Sequence, residues 1–433
     1  MAAALFVPEI VDQHLENAVS LWLARDTAVG ASSFRLADLV KLDERIEAGI
    51  DGLRIAETGG WSASHDELDA GGAAGYFVAA ILAVESDDRD RFDQIIEQAY
   101  ASAAKTANEP YHPAYDPWRG LVSALAWVGR PHAAAAIERL LDAPRPRTRW
   151  LGVAACGARR WVNQPRLEAA LADQEPLVRA RAARTIGELG RADCRAKLNT
   201  LLTDPDEDCR FWATWSAARL GVAEGVDALA EFARVAGPRC DRALELLLRC
   251  LPLERAHAFL RQLAREPALQ RTVIRAAGAI GDGNYLPWLV RQAGDPSVAR
   301  VAGNSFAVIT GADLAHDDLD SEPPETVASR PDDDPEDDDV ALDDDEGLAW
   351  PDPERLGQWL KGNQHRFAAG TAYFRGSPKA STNWVAALSE APQRQRWTIA
   401  LELALSRPEI SMFEVRARGD LQQRLLRRAA GPA

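Results

Sequence analysis

The sequence predicts an all-α protein whose centre is a right-handed α-solenoid built from short helix pairs. The main observation is a repeat of about 30 residues between positions 117 and 314. It is marked by seven turn positions: Gly129, Arg159, Gly190, Gly221, Pro252, Gly281 and Gly311. A small, apolar helical segment precedes most of these turns and an amphipathic segment follows them. This is the pattern expected for stacked helix–turn–helix units.

The composition is compatible with this architecture. At 433 residues the chain exceeds the usual size of one compact domain, but a solenoid can grow because each repeat contacts only its neighbours. The longest apolar runs are shorter than the ~20 residues that span a bilayer, and the N-terminus lacks the basic region of a signal peptide. Five cysteines without CxxC spacing indicate structural thiols in a reducing compartment. We therefore expect a cytoplasmic protein with no membrane segment.

The first 116 residues predict an N-terminal helical cap. Apolar residues recur at helical spacing in four segments, at about 8–29, 36–55, 64–86 and 88–107. Pro8 suits a helix start, and the Gly59–Gly60 pair is expected to end the second helix. The four helices can form two hairpins that cover the open end of the repeat stack. A proline-rich linker at 108–117 is the expected seam.

The repeats themselves occupy the predicted domain 117–314. They divide near 117–144, 145–175, 176–206, 207–237, 238–268 and 269–297, with a seventh first helix at 298–311. No repeat buries its apolar face alone, so the stack is expected to be stable only as a whole.

An acidic segment at 315–347 interrupts the seventh repeat. Between His316 and Glu346 the net charge is −15, which equals that of the entire chain, so the rest of the chain is neutral. Overall neutrality outside the acidic segment argues against nucleic-acid binding. The segment lacks the spacing of a calcium loop and is predicted to be a flexible insertion. The missing second helix is expected to resume at Pro353–Gly362.

The remaining domain, 348–433, predicts a small α or α+β region after that helix. A stretch mixing aromatic residues and glycine near 365–378 indicates short extended pieces, and two helices are expected between about 380 and 406. The sequence FEVRA at 413–417 resembles a strand, and a basic helix follows it.

The sequence contains no recognisable catalytic or cofactor motif. The seven histidines are scattered, and neither a P-loop nor a GxSxG motif is present. The glycines of 281–285 are interpreted as a turn. We therefore predict no catalytic residue, no metal and no cofactor.

Tryptophan and arginine provide the candidate binding residues. Most of the 13 tryptophans are expected in the core, but exposed Trp and Arg on a concave surface would anchor a partner protein. The predicted partner-binding residues, including acidic ones from the insertion, are Arg149, Trp150, Arg179, Arg210, Trp212, Trp288, Asp332, Asp333, Asp334, Asp337, Asp338 and Asp339.

The 30-residue repeat resembles the short HEAT-like repeats of bacteria, including the type found in phycobilin lyases. Nearly the whole chain also resembles an uncharacterised proteobacterial family often encoded near type VI secretion genes. The resemblance rests on IVDQHLENAVSLWLARDTAV, FAVITGADLAHDDLD, DPERLGQW and QRQRWTIALELAL. This resemblance implies a role near type VI secretion, and it identifies no catalytic residues in this sequence.

Three functions are compatible with these features. The first is a non-enzymatic adaptor or chaperone-like accessory protein of type VI secretion, which holds a secreted effector or a spike-associated protein in its concave groove. The second is an immunity-type inhibitor of a secreted toxin. The third is a lyase-like enzyme on a HEAT-repeat fold, for which the sequence offers no convergent polar residues.

Overall fold

The structure of the protein is a computed structural model that describes residues 6–68, 70–86, 88–107, 110–324, 345 and 347–430. The chain forms two compact units. Unit 1 comprises Met1–Leu220 and Trp384–Ala433, and unit 2 comprises Gly221–Asn383. The predicted four-part division at 116, 314 and 347 remains a prediction.

Unit 1 begins with five helices: α1 Pro8–Ala28, α2 Leu36–Ile55, α3 Thr58–Asp66, α4 Gly72–Glu85 and α5 Arg89–Lys105. On α2 the fully buried residues Leu39, Ile46, Ile50 and Leu53 form one stripe, as the helical spacing predicts. Every residue of α4 from Gly72 to Val84 is buried. The uninterrupted apolar run of α4 therefore occupies the centre of this region.

The N-terminal region has one helix more than predicted. Gly59 and Gly60 do not end a helix but lie inside α3, while Glu57, at φ 47°, makes the turn after α2. A Cβ atom on Gly60 would lie 2.1 Å from the carbonyl oxygen of Leu53. The glycine pair thus permits close packing, a role that the sequence pattern does not distinguish from a helix stop.

The next seven helices of unit 1 form the repeats: α6 Pro117–Trp127, α7 Arg130–Leu141, α8 Pro146–Arg159, α9 Gln164–Ala170, α10 Pro176–Leu189, α11 Arg195–Thr200 and α12 Glu207–Arg219. The first helices of successive repeats pack on one another in the order α6, α8, α10 and α12, and α4 packs on α6. One apolar core runs from Val11 to Leu220. The helices of the predicted cap and the repeats that follow them are therefore parts of one core.

Unit 2 contains a further series of helices and a two-stranded ribbon: α13 Ala223–Phe232, α14 Pro238–Cys250, α15 Leu253–Leu263, α16 Gln270–Ile280, α17 Leu286–Gln292, α18 Ala299–Thr310, α19 Pro353–Asn363, β1 Tyr373–Phe374 and β2 Ser377–Pro378. The strands pair antiparallel. Helix α19 begins at the predicted Pro353, and its Trp359 packs against Phe306 of α18 with ring centroids 5.5 Å apart. This contact agrees with α19 being the delayed second helix of the seventh repeat.

The predicted turn positions are visible in the backbone. Gly190, Gly221, Gly281 and Gly311 adopt φ angles between 72° and 82°, in the left-handed region that ends helices and favours glycine. At the Arg159 turn the left-handed residue is Arg160, at φ 52°. This non-glycine position is held by its side chain, whose Nε donates to the carbonyl oxygen of Met412 at 2.6 Å.

Unit 1 is completed by three helices, α20 Trp384–Glu390, α21 Gln393–Ser406 and α22 Gly419–Ala430. The expected strand at 413–417 is not present. Instead, the carbonyl oxygen of Val415 accepts a hydrogen bond from the buried Gln422 side chain at 2.9 Å. Side chains, rather than a partner strand, bind this backbone. The alternating apolar residues of 413–417 therefore do not form the strand that their pattern predicts. We call residues 408–418 the C-terminal segment.

The all-α architecture of stacked helix pairs is therefore confirmed. Within the described part of the chain, no helix is long and apolar enough to cross a membrane.

Candidate functional site

A cleft of about 820 Å³ lies on unit 1 and is lined mainly by α1, α6, α8, α10, α12 and the C-terminal segment. Four tryptophans line it: Trp22, Trp127, Trp150 and Trp212. Seven arginines line it: Arg25, Arg119, Arg147, Arg181, Arg184, Arg416 and Arg418. We call this site the arginine–tryptophan cleft. Its volume lies in the range of pockets that bind ligands or side chains of a partner.

Two of the predicted partner-binding tryptophans lie in this cleft. Trp150 is half-buried, and the guanidinium carbon of Arg147 lies 4.0 Å from its ring centroid. Trp212 is also half-buried and has Arg184 at 4.6 Å. Each guanidinium is within the distance at which an aromatic ring attracts a cation. The pairs leave apolar ring surface and charge side by side at the cleft wall.

The predicted arginines Arg149, Arg179 and Arg210 form an internal ladder instead of lining the cleft. Arg149 binds Asp173 through two hydrogen bonds of 2.7 and 2.9 Å, and Arg179 binds Asp204 in the same way at 2.9 and 3.0 Å. Arg210 donates to the carbonyl oxygens of the turn before it. These contacts join the start of one repeat to neighbouring turns, with the planar two-point geometry that arginine favours.

The other predicted residues lie elsewhere. Trp288 belongs to unit 2, where it is half-buried against an apolar core and contacts Tyr285 edge-on. The six aspartates lie outside the described residues: Asp332, Asp333, Asp334, Asp337, Asp338 and Asp339.

The floor of the cleft contains a buried carboxylate that the sequence did not single out. Glu188 is 3% exposed, and Arg184 donates to it at 2.7 Å, Arg160 at 3.3 Å and Arg181 at 3.4 Å. Burial alone would raise the pKa of Glu188, but these three positive charges outweigh it and hold the pKa well below its ordinary value. Glu188 is therefore ionised and fixes the three guanidinium groups.

Arg181 is the least satisfied member of this group. Its side chain is 10% exposed, its Nε is buried without a hydrogen-bond partner, and both hydrogen bonds of its Nη2 are long, at 3.4 Å. Burial lowers its pKa to about 10 in spite of Glu188. The cleft floor thus holds more positive charge and more donors than its own carboxylates satisfy.

The C-terminal segment closes one side of the cleft. Arg219, which is 1% exposed, donates to the carbonyl oxygen of Ile410 at 2.8 Å, and Arg25 donates to that of Ala417 at 2.9 Å. Arg416 pairs with Asp26 of α1. Sequence periodicity could not reveal this arrangement, because the paired residues are hundreds of positions apart.

Other clusters of reactive residues have structural partners. Glu168, Asp193 and Cys194 lie close enough to hold a metal ion, but Lys197 binds Glu168 at 2.6 Å and Arg191 pairs with Asp193. Burial raises the pKa of the Cys194 thiol to about 11. This group is therefore already neutralised by cations.

In unit 2, His257 bridges Tyr285 at 2.6 Å and Asp282 at 3.0 Å. The fully buried Asp282 also accepts from the backbone N–H groups of Asn284 and Gly370. These bonds hold the 281–285 turn against neighbouring segments. The turn predicted from its glycines is thus part of a structural network.

The fold and this cleft define a protein of the helical-repeat class. Residues 163–249, about a fifth of the chain, match the family model described as HEAT repeats. No curated protein matches the sequence. HEAT repeats commonly act as protein-interaction scaffolds, and no catalytic family is indicated.

Proposed function

We propose that the protein is a non-enzymatic scaffold that holds a segment of a partner protein in the arginine–tryptophan cleft. The observation that carries this proposal is the pairing of half-buried Trp150 and Trp212 with guanidinium groups along the wall of an 820 Å³ cleft. Tryptophan and arginine are the residues most often found at the energetic centres of interfaces. Stacked helical repeats hold such residues on a rigid surface, which lowers the entropic cost of binding.

The finer assignment is an adaptor or chaperone-like accessory protein of type VI secretion. It rests on the resemblance of the N-terminal, 306–320, 352–359 and 393–405 sequences to the proteobacterial family described above. The partner would be a secreted effector or a spike-associated protein. The acidic insertion at 315–347 would favour a basic segment of the same partner.

Affinity capture tests the scaffold function. Cells that express the protein are lysed under mild conditions at low salt. The lysate is incubated with tagged full-length protein, and bound proteins are identified by mass spectrometry. Replacing Trp150 and Trp212 by alanine should weaken capture about 30-fold or more, since an interface anchor contributes about 2 kcal/mol. A deletion of 316–346 measures the contribution of the insertion separately.

Trp61 provides a matched control. It is half-buried in unit 1 and has a stacked arginine, Arg91 at 4.8 Å, but it does not line the cleft. Trp61→Ala should capture the partner as wild type does. Equal capture by the Trp150/Trp212 variant and by wild type would exclude the cleft as the binding site.

A further inference from the structure

The charges of the cleft indicate what chemical group it accepts. Seven arginines and six carboxylates line it. The carboxylates are Asp26, Asp116, Asp206, Asp208, Glu188 and Glu414. Most of the arginines are already paired: Arg25 with Asp43, Arg119 and Arg416 with Asp26, and Arg418 with Glu47. Positive charge that lacks a carboxylate partner is therefore confined to a small part of the cleft.

Arg147 is the lining arginine that has no ion pair with a described residue. Its guanidinium lies against the rings of Trp150 and Trp118, at 4.0 and 5.3 Å, and forms no hydrogen bond or ion pair with any described residue. Burial lowers its pKa from the ordinary value, and the negative charge of Asp116 offsets this only in part. Because this guanidinium is half-buried and its donors are not used by any described residue, a carboxylate in the cleft can replace water at these donors.

Arg181 and Arg184 supply a second cationic position on the neighbouring helix. Arg147 and Trp150 lie on α8, while Arg181 and Arg184 lie on α10, and these two helices pack on each other. The unpartnered Nε of Arg181 shows that Glu188 alone does not satisfy this position. A chain that crosses from α8 to α10 would meet both positions and the Trp150 ring.

We propose that the cleft binds an acidic protein segment in which a carboxylate pairs with Arg147 and an adjacent apolar or aromatic residue packs on Trp150. This proposal rests on the scaffold function and names the chemistry of the partner. An aspartate or glutamate side chain matches the planar donor pair of a guanidinium. The formal excess of one positive charge suits isolated carboxylates and is too small for a nucleic-acid backbone, whose binding requires many cations.

Peptide display on the full-length protein tests this proposal. A random dodecapeptide library is selected on wild type, and the selected sequences are compared with the unselected library. We expect enrichment of Asp or Glu next to Trp, Phe or Leu. The affinity of the selected peptides should fall at least tenfold in Arg147→Gln and should also fall when salt is raised from 0.05 to 0.5 M.

Arg195→Gln is the matched control, since Arg195 is an exposed arginine of α11 outside the cleft. It should bind the selected peptides as wild type does. Circular dichroism and thermal unfolding of Arg147→Gln establish that the variant is folded, and Arg147→Lys should restore part of the affinity.

The outcomes separate this inference from the scaffold function. Peptides that bind the cleft without acidic enrichment, or with enrichment of Lys and Arg, would overturn the inference and leave the scaffold function standing. Acidic peptides that bind Arg147→Gln as tightly as wild type would also overturn it. A selection that yields no peptide above background would count against both.

Discussion

Glu188 shows at the scale of one residue how the cleft is held together. Its carboxylate is the common acceptor for Arg160, Arg181 and Arg184, and its backbone oxygen accepts from Met412 at 2.7 Å. Glu188→Gln would remove the charge that three clustered guanidinium groups share, and of these Arg160 keeps a second carboxylate, Glu414, at 3.1 Å. We expect a loss of about 3 kcal/mol in the free energy of unfolding, measured by urea denaturation.

The same variant should change the pH dependence of stability. The folded-state pKa of Glu188 lies below its unfolded value of about 4.5, so its stabilisation is present above that pH and is lost as the pH falls further. The free energies of unfolding of wild type and Glu188→Gln should therefore become more similar below about pH 4.5. Glu97→Gln is the control. Glu97 pairs with Arg145 at the surface, and 66% of its side chain is exposed. We expect this substitution to lower the free energy of unfolding by less than about 1 kcal/mol.

Arg179 gives a prediction about the internal ladder. A lysine at this position would lose the paired hydrogen bonds to Asp204 and those to the carbonyl oxygens of Asp173 and Gln174. Arg179→Lys should lower the free energy of unfolding by about 1–3 kcal/mol. Partner capture by the folded variant should be unchanged if this arginine acts within the chain. Capture that falls while stability is retained would make Arg179 a partner anchor, as the sequence predicts.

Among the helices, the contact of α4 with α6 is the point at which the first five helices join the repeats. Gly120 of α6 approaches α4 so closely that a Cβ atom would lie 2.0 Å from the carbonyl oxygen of Ala73. Gly120→Ala must displace a helix backbone, and we expect unit 1 to lose about 2 kcal/mol or more, measured by thermal and urea unfolding. In α19, a Cβ atom added at Gly362 would meet no atom within 4 Å beyond its chain neighbours and its own helix backbone, so Gly362→Ala should be neutral or slightly stabilising. Similar effects of the two substitutions would contradict this packing.

At the scale of the whole molecule, residues 384–433 are part of the same compact unit as 1–220. The C-terminal segment provides the acceptor of the buried Arg219, and Gly419 donates its N–H to Asp43 at 2.6 Å. Deleting 384–433 should therefore expose amides of α1, α10 and α12 to hydrogen–deuterium exchange, while amides of α14–α18 keep their protection. Mass spectrometry of the exchanged protein measures this, and an equal loss in both sets of helices would refute it.

Local sequence determined the helices and their turns. The stripe of Leu39, Ile46 and Ile50 predicts α2, and glycine at 190, 221, 281 and 311 predicts the left-handed turns that follow helices. These features depend on residues within one or two turns of each other, so a pattern in one sequence is sufficient. The same periodicity predicts that Trp150 and Trp212 lie at the starts of first helices, and both side chains line the cleft.

Tertiary structure decided which residues form the cleft. Arg149 and Arg147 are two positions apart, yet Arg149 forms an internal ion pair with Asp173, whereas Arg147 forms no ion pair with any residue that the structure describes. Arg219 meets Ile410 across 191 positions, and Arg25 donates to the carbonyl oxygen of Ala417, which belongs to the expected strand and lines the cleft. The periodicity of a single sequence does not encode such pairings, because burial and charge compensation depend on neighbours that only the folded chain brings together.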